Sequence, residues 1–404
     1  MPLAGLLAAI LVSTAPSTQA EDKPLATTFR STWVTVGGDI EASGYVPGKL
    51  GERRFGEALW TYETKDVDSP SNFAVADGKA CFLADLMHER AGRALQGVVC
   101  VEIATGKTLW TCKDQGVAWR ILGIHGACLY VVLGKEQHLV NNSEWIVCFD
   151  LQTGKKKWKS DVDIVLQDAH LSEKGIVITH ANIRQLDFEK GEITWQSERQ
   201  FAQYAVSSLI TQTHACVVEF GRDTAATSSQ SNRRFTMIEL ATGKEVKSFT
   251  FERDNREITG LWSSGNGCAY GSAQKEFLCV NMTDPKLEAK LKGDFQYRPA
   301  VTSEAIYVVD KGVLRSLKPK TLELISELKK PTGETQNNCL GQPVVTDDVL
   351  CVGMFDCTLV VSRKDFSKIQ EVSGAFPAIV ADQMFTWEPA GKGWRIQCHP
   401  LKKN

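Results

Sequence analysis

The sequence predicts an all-β protein, an eight-bladed β-propeller of four-stranded antiparallel blades, from three observations. A short phrase recurs along the chain, short apolar runs separated by Gly, Asp, Asn and Ser fill the spaces between its copies, and the two ends complement each other. Self-similarity at a period of roughly 40 to 50 residues is typical of propellers and solenoids, and such apolar runs are typical of antiparallel strands. We therefore expect the repeats of this 404-residue chain to close into one ring.

The recurring phrase is an apolar strand, a turn of the Thr-Gly-Lys type, and a Trp four residues after the Gly. Complete copies end at Trp110, Trp158 and Trp195, and a fourth copy carries Lys247 in the Trp position. The segment FGEALW ends at Trp60 with the same offset from its Gly, but no strand precedes it. The turn glycines lie 37 to 52 residues apart, at Gly56, Gly106, Gly154, Gly191 and Gly243.

The later repeats are identified by their flanking strands, which place the turn near Pro285, Leu322 and Phe366. The sequence RIQCHP near the C-terminus matches the strand that precedes a turn, and FGEALW begins at a turn. We therefore expect the strand at residues 58–61 to pair with the strand at residues 395–399 and to complete the eighth blade. A β-helix is the less favoured alternative, because it would not need complementary ends.

Three segments are expected along the chain. Residues 1–20 contain an apolar stretch followed by small residues, which is typical of a signal peptide cleaved after Ala20. Residues 21–54 form an extension outside the repeat, with a possible short strand at 32–36, and residues 55–404 form the propeller. The signal predicts a secreted or periplasmic protein. No stretch is long and apolar enough to be a transmembrane segment, and the first cysteine is Cys81, so we expect no lipidated cysteine after the signal.

The composition limits the kinds of partner. The chain is 43% hydrophobic, which is enough to fill a core between the blades. A formal net charge of −2 and the lack of a long basic segment argue against binding to nucleic acid or to anionic membranes. No Gly-x-Ser-x-Gly, His-Glu-x-x-His or phosphate-loop motif is present, so the sequence shows no catalytic constellation. We expect a monomer.

The twelve cysteines fall mainly on two strands of the repeat. The pattern predicts one shared position in the second strand and another in the third, both facing neighbouring blades, where free Cys acts as a small buried hydrophobe. The alternative is cross-strand bonding, such as Cys81 with Cys100 or Cys128 with Cys148. Simple hairpin pairing would make these pairs diagonal, at a separation unfavourable for a bridge. The second-strand set is Cys81, Cys128, Cys216, Cys268 and Cys351, and the third-strand set is Cys100, Cys148, Cys279 and Cys398.

The phrase A-x-x-T-G-K-x-x-W after an apolar strand resembles the repeat of the pyrroloquinoline-quinone-like β-propellers, over residues 55–404. That superfamily includes quinoprotein alcohol dehydrogenases and the propeller lipoprotein of the bacterial outer-membrane assembly machinery. The resemblance implies that each Trp docks on the backbone of an adjacent repeat, so that Trp60, Trp110, Trp158 and Trp195 are structural. The quinone enzymes carry adjacent Cys residues and a calcium site, whereas this sequence has no Cys-Cys pair. We therefore expect no cofactor and no metal.

Binding is expected at the face where the inner strands begin, because loop insertions cluster there. Long second-to-third strand loops are predicted at residues 85–97, 134–144 and 221–234, on the face opposite the Thr-Gly-Lys turns. Arg120 and Arg298 lie in opposed blades and could together hold an anion or an acidic peptide end; the alternative is that each pairs with a neighbouring carboxylate. The predicted channel-mouth residues are Asn72, Arg120, Asp168, Ser207, Thr259, Arg298, Gln342 and Phe376.

These observations favour a non-catalytic protein-interaction scaffold that binds an unidentified protein through the face with the long loops. Asp168 is the main carboxylate expected near the channel, and we interpret it as a cap at a strand start rather than as a base, because no positioned partner is evident. Two alternatives remain: a diverged quinone-dependent oxidoreductase, and a protein that binds a small ligand or carbohydrate in the central channel.

Overall fold

The structure is a computed structural model, and its described residues contain strands and no helix. It describes residues 38–39, 42–65, 73–90, 93–112, 117–134, 144–160, 168–179, 182–198, 207–220, 233–251, 261–273, 275–328, 339–390 and 393–403. The predicted signal peptide and the possible strand at residues 32–36 lie outside this part of the chain.

The strands form eight antiparallel sheets, each of which is one blade, so the predicted all-β, eight-bladed propeller is confirmed. Blade 1 contains β3 (Phe73–Ala76), β4 (Lys79–Arg90), β5 (Arg93–Glu102) and β6 (Thr108–Cys112), and blade 2 contains β7 (Val117–His125), β8 (Cys128–Gly134), β9 (Glu144–Asp150) and β10 (Lys156–Lys159). Blade 3 contains β11 (Asp168–Leu171), β12 (Ile176–Thr179), β13 (Ile183–Leu186) and β14 (Ile193–Gln196), and blade 4 contains β15 (Ser207–Ile210), β16 (His214–Phe220), β17 (Arg233–Glu239) and β18 (Glu245–Phe251). Blade 5 contains β19 (Leu261–Gly265), β20 (Cys268–Ala273), β21 (Glu276–Asn281) and β22 (Lys286–Lys292). Blade 6 contains β23 (Ala300–Val301), β24 (Ile306–Asp310), β25 (Val313–Leu317) and β26 (Leu324–Glu327). Blade 7 contains β27 (Leu340–Val345), β28 (Val349–Gly353), β29 (Cys357–Ser362) and β30 (Lys368–Ser373).

Blade 8 joins the two ends of the chain, as predicted. It contains β31 (Ala375–Val380), β32 (Gln383–Ala390) and β33 (Gly393–Lys402), together with β1 (Arg54–Phe55) and β2 (Trp60–Lys65) from the N-terminal side. Strands β2 and β33 are antiparallel, with Trp60 opposite Cys398 and Lys65 opposite Gly393. Strand β1 pairs with the same edge of β33, so this blade has five strands instead of four.

Aromatic packing closes the seam between blades 8 and 1. The ring of Phe73 on β3 lies 4.9 Å from that of Phe385 and 5.0 Å from that of Trp387, both on β32. All three side chains are buried in one hydrophobic cluster. The seam is therefore held by apolar burial between the faces of the two blades as well as by the strand pairing within blade 8.

The recurring phrase folds into a turn that has a side-chain hydrogen bond and a residue in the left-handed conformation. In blade 1 the hydroxyl of Thr105 donates to the carboxylate of Glu102 at 2.6 Å, and Gly106 follows with a φ of 69°. Such short side-chain hydrogen bonds stabilise turns, and the left-handed region favours Gly. Leu322 and Phe366 hold the corresponding position in blades 6 and 7, with φ values of 60° and 59°. The turn geometry thus persists where its sequence signature is lost.

Each repeat Trp bridges two blades. The indole N–H of Trp60 donates to the carbonyl oxygen of Ile103 in blade 1 at 2.6 Å, and a Cβ added at Gly106 would lie 2.6 Å from Cγ of the same ring. The Gly therefore leaves the space that the ring fills. The other repeat Trp residues make the same bond to the next blade, from Trp110 to Leu151 at 3.0 Å, from Trp158 to Phe188 at 3.0 Å and from Trp195 to Leu240 at 2.8 Å.

The cysteine register differs from the prediction for one of the two pairs. All twelve cysteines are free. Cys128 lies opposite Asp150 and is therefore diagonal to Cys148, as expected, but Cys81 lies directly opposite Cys100. The prediction that all five second-strand cysteines share one position was wrong. Cys128 and Cys268 lie two residues nearer the start of the second strand than the other three cysteines, when each is compared with the turn that follows the third strand of its blade. A shift of two residues leaves a strand side chain on the same face, so the apolar pattern does not reveal it.

Candidate functional site

The blades give the ring two different faces. In blade 7, the start of β27 and the connection between β28 and β29 lie at one end of the sheet, and the turns at residues 346–348 and 363–367 lie at the other. The antiparallel meander repeats this arrangement in every blade. We call the first end the mouth face and the second the turn face.

The insertion in blade 1 is a β-hairpin, not the loop predicted at residues 85–97. Strands β4 and β5 stay paired from Lys79 opposite Glu102 out to Arg90 opposite Arg93, with register shifts near Met87. Residues 85–97 of this hairpin show no strict alternation of apolar and polar side chains, so a strand could not be predicted from their sequence.

The outer half of this hairpin projects beyond its blade. Pairing with β3 ends at Phe82, and pairing with β6 ends at Val98. Beyond these two residues no described strand flanks the hairpin on either side. We call residues 84–90 and 93–97 the arm. The arm thus has two backbone edges at the mouth face that no described strand pairs.

The other two insertions are described only at their ends. Residues 135–143 and 221–232 lie outside the described residues, and β9 begins at Glu144 and β17 at Arg233. The mouth face also carries Phe355, in the connection between β28 and β29, whose side chain is 64% exposed. An exposed Phe beside the mouth is an apolar feature that the sequence reasoning missed, because this connection is short.

The structure describes the predicted channel-mouth residues to different extents. Asn72 and Thr259 lie outside the described residues. Asp168 begins β11 and Ser207 begins β15, but their side chains are also outside the description. Arg120 is half-buried on β7, opposite Val132 of β8.

Arg298 and Gln342 bind backbone carbonyl groups of neighbouring segments. A guanidinium N–H of Arg298 donates to the carbonyl oxygen of Trp262 in blade 5 at 2.6 Å. The side-chain amide of Gln342 donates to the carbonyl oxygens of Ala42 at 2.8 Å and Pro299 at 3.0 Å. Both side chains therefore link segments of this chain at the mouth.

Phe376 packs across the junction between blades 7 and 8. A Cβ added at Gly341 would lie 2.7 Å from Cδ1 of its ring, so the ring rests on the backbone of β27. The ring also lies 6.0 Å from that of Trp394, in an edge-on arrangement. The side chain is part of the packing around blade 8.

Part of the N-terminal extension lies on the channel side of blades 6 and 7. The amide of Val345 on β27 donates to the carbonyl oxygen of Gly44 at 2.9 Å, and the amide of Val46 donates back to Val345 at 2.8 Å. The amide of Val301 on β23 donates to Ser43 at 2.7 Å. The amides of the next residues, Thr346 and Thr302, donate to carbonyl oxygens at or directly before the start of the second strands of their own blades. The backbone groups of successive strand residues point to opposite sides, so those of Val345 and Val301 point away from the second strands. Residues 43–46 therefore add to the inner edges of two blades.

The same segment continues to the turn face and then outwards. The amides of Leu50 and Gly51 donate to the carboxylate of Asp348 at 2.9 and 2.8 Å. Tyr45 donates its hydroxyl to Asp347, and this hydrogen bond, together with burial, raises the pKa of the Tyr45 hydroxyl. Residues 42–55 thus run from the mouth face along the channel side to β1. Sequence reasoning did not place this segment, since backbone-to-backbone bonding has no residue signature.

A concave region lies on the turn face, between blades 2 and 3. It has a volume of about 830 Å³, and the ring of His125 stacks on Phe188 at 3.9 Å within it. The ammonium group of Lys157 lies 3.3 Å from the sulfur of Cys128. Burial lowers the pKa of His125.

Neither a metal centre nor a membrane helix is found in the described part of the chain. No group of three His, Cys, Asp or Glu side chains there has an arrangement that could hold a metal ion. Among the same residues, no helix has the length and apolar character needed to span a bilayer.

The repeat region matches a family model described as outer membrane protein assembly factor BamB, over residues 94–335. The chain belongs to this family. The BamB structure from Moraxella catarrhalis is similar, with a TM-score of 0.57 and 15% identity, covering 85% of this chain and 99% of that one. A structure of a eukaryotic initiation factor is also similar, with a TM-score of 0.53 and 8% identity, covering 81% of this chain and 84% of that one. At these identities the structures show the fold alone. No curated protein sequence matches the chain.

Proposed function

We propose that this member of the BamB family is a non-catalytic protein-interaction scaffold that works outside the cytoplasm, in the periplasm or as a secreted protein. It binds a protein partner through the mouth face, as a monomer and without a cofactor. The arm is the observation that carries this proposal, because it is the described insertion that projects from the ring.

The family description supports the location and the kind of partner. An outer membrane assembly factor belongs to the cell envelope and serves in the assembly of other proteins. The signal-like residues 1–20 agree with export from the cytoplasm. The formal net charge of −2 gives no field that would favour nucleic acid instead.

The arm has a residue composition that suits contact with another protein. Its sequence interleaves apolar residues, such as Leu86 and Met87, with charged ones, such as Arg90 and Arg93. Arg and Met are enriched in protein interfaces. The arm edges that no described strand pairs can also offer main-chain donors and acceptors to an extended segment of a partner. The exposed ring of Phe355 lies on the same face.

Site-specific photocrosslinking tests which face binds. A photoreactive residue is introduced at Glu89 in the arm, at Phe355 on the mouth face, or at Lys318 in a turn on the opposite face, as the matched control. After irradiation of the source cells, we expect the first two positions to capture the same partner, identified by mass spectrometry, and Lys318 to capture none. Capture from Lys318 alone would contradict the proposal.

Trimming the insertions provides an independent test. Replacing residues 86–95 by an Asn-Gly turn and deleting residues 223–232 should leave the thermal unfolding midpoint nearly unchanged, because loop shortening changes stability only slightly. Partner capture at Phe355 should weaken. Unchanged capture after all three insertions are trimmed would exclude the mouth face. Adding the quinone with calcium and recording an absorbance change would instead support the redox alternative.

A further inference from the structure

Cys81 and Cys100 form a matched pair at the base of the arm. They lie directly opposite each other on β4 and β5, three residue pairs before the arm begins at Ala84 opposite Gly97. Both side chains are fully buried, at 0% exposure.

The backbone pairing at this position suits a cross-link. The amide of Ile103 donates to the carbonyl oxygen of Gly78 at 2.9 Å, in the same register as Lys79 opposite Glu102. Hydrogen-bonded pairs alternate with non-hydrogen-bonded ones, so Cys81 and Cys100 form a non-hydrogen-bonded pair. The Cα atoms of such pairs are about 4.5 Å apart. Disulfides form at Cα separations of about 4.4 to 6.8 Å.

Equivalent positions in other blades show that this pairing is particular to blade 1. The third-strand cysteines of blades 2, 5 and 8 lie opposite aromatic residues, Cys148 opposite Tyr130, Cys279 opposite Tyr270 and Cys398 opposite Phe385. Where other blades place a large ring against the third-strand thiol, blade 1 places a second thiol. The diagonal pairs, such as Cys128 with Cys148, have Cα atoms about 7–8 Å apart, which is too far for a bridge.

We propose that Cys81 and Cys100 form a disulfide that fixes the base of the arm. The bond joins β4 to β5 where β3 and β6 still flank the hairpin, three residue pairs before the arm begins. It limits splaying of the two arm strands, whose backbone has no described neighbour on either side. The arm is then presented to a partner in one orientation.

The bond forms by thiol–disulfide exchange with a small disulfide, for which oxidised glutathione is the probe. The thiolate of one cysteine attacks a glutathione sulfur, the S–S bond breaks, and one glutathione thiolate leaves and takes a proton. The second cysteine thiolate attacks the mixed disulfide and releases the second glutathione. Two protein thiols are oxidised and one glutathione disulfide is reduced. Because both thiols are buried, the exchange takes place while the hairpin is open.

Peptide mapping of the refolded full-length chain tests the proposal. The protein is unfolded and reduced, refolded in a mixture of reduced and oxidised glutathione, alkylated with iodoacetamide, and digested without reduction. We expect one linked peptide that contains Cys81 and Cys100, and alkylation of the other cysteines, including Cys128 and Cys148. Alkylation of both Cys81 and Cys100, or linkage of either one to a different cysteine, would overturn the proposal.

Limited trypsin digestion measures the effect on the arm. Cleavage after Arg90 and Arg93 should be slower in the oxidised wild-type protein than in the reduced one. A Cys81→Ala/Cys100→Val variant should show no difference between the two conditions. The inference rests on the proposed extracytoplasmic location only for where the bond forms in the cell. Because both experiments use purified protein, failure of the disulfide leaves the photocrosslinking test of the mouth face unaffected.

Discussion

The indole nitrogen of Trp60 lies 2.6 Å from the carbonyl oxygen of Ile103, although 43 residues separate them in the sequence. This hydrogen bond crosses the seam of the ring, from the N-terminal strand of blade 8 to the turn of blade 1. The ring of Trp60 is 8% exposed and fills the space above Gly106.

Replacing Trp60 by Ala should lower the free energy of unfolding by about 3–5 kcal/mol, as for a large core aromatic residue. The loss combines the buried ring surface with the hydrogen bond to Ile103. Urea denaturation would measure it. The preceding residue provides the control, because Leu59 is 52% exposed and its replacement by Ala should change stability very little. Equal effects of the two substitutions would mean that Trp60 does not hold the seam.

A pair of glycine substitutions in blade 1 separates backbone strain from lost space. Gly78 and Gly106 both have a φ of 69°, but a Cβ at Gly78 would meet nothing within 4 Å, whereas one at Gly106 would meet Trp60 at 2.6 Å. Gly78→Ala should cost about 1–2 kcal/mol, since it carries only the left-handed strain. Gly106→Ala should cost about 1–3 kcal/mol more, because the ring must move. Thermal or urea unfolding of both variants gives the comparison, and similar losses would argue against the contact.

Truncation tests the strand that closes the ring. Removing residues 1–64 should leave the edge of β33 open and promote aggregation, because an unpaired edge strand pairs with other chains. Removing only residues 1–20 should leave the protein monomeric. Light scattering and size-exclusion chromatography would report both results. A monomeric, stable protein that lacks residues 1–64 would contradict the closure.

Stability should fall in mild acid through His399 on β33. Its imidazole is 1% exposed, and Nδ1 lies 3.1 Å from the carbonyl oxygen of Gly56. Burial lowers the pKa of His399 from 6.5, so the unfolded chain takes up this proton first as the pH falls. The contribution of His399 is therefore complete above about pH 6.5, decreases as the pH falls from there to the folded pKa, and is then constant. Urea unfolding at pH 7.5 and 5.5 should show a smaller decrease for His399→Gln than for the wild type. Identical decreases would exclude His399 as the cause.

The sequence predicted the ring because its determinants are individual residues in fixed positions. The repeat Trp and the turn Gly that its ring covers can both be recognised in the sequence. The strand that carries Trp60 could be matched to the C-terminal strand at residues 395–399, which lacked a following turn and strand. The later turns were harder to find, since Leu322 and Phe366 adopt the left-handed conformation without Gly. There the flanking apolar strands were the only guide, and they placed the turns correctly.

The features that sequence reasoning missed depend on backbone geometry. The segment at residues 43–46 is held mainly by main-chain hydrogen bonds, which any residues can make. The opposition of Cys81 and Cys100 was mispredicted because a two-residue shift keeps both side chains on the same face. Of the predicted channel-mouth residues, Arg298 and Gln342 bond to backbone carbonyls of this chain. A residue's position at a strand start does not reveal such partners.

The pairing of β2 with β33 also determines the order in which the ring can assemble. Glu63 and Arg395 form an ion pair across these strands and are 332 residues apart in the sequence. Blades 1 to 7 are each built from consecutive strands and can form from local contacts, whereas blade 8 must bring distant parts of the chain together against a large loss of chain entropy. We therefore expect closure of blade 8 to be the slow step of folding. Until that step, β33 lacks its N-terminal partner strands and is the part of the molecule most in need of protection by a chaperone.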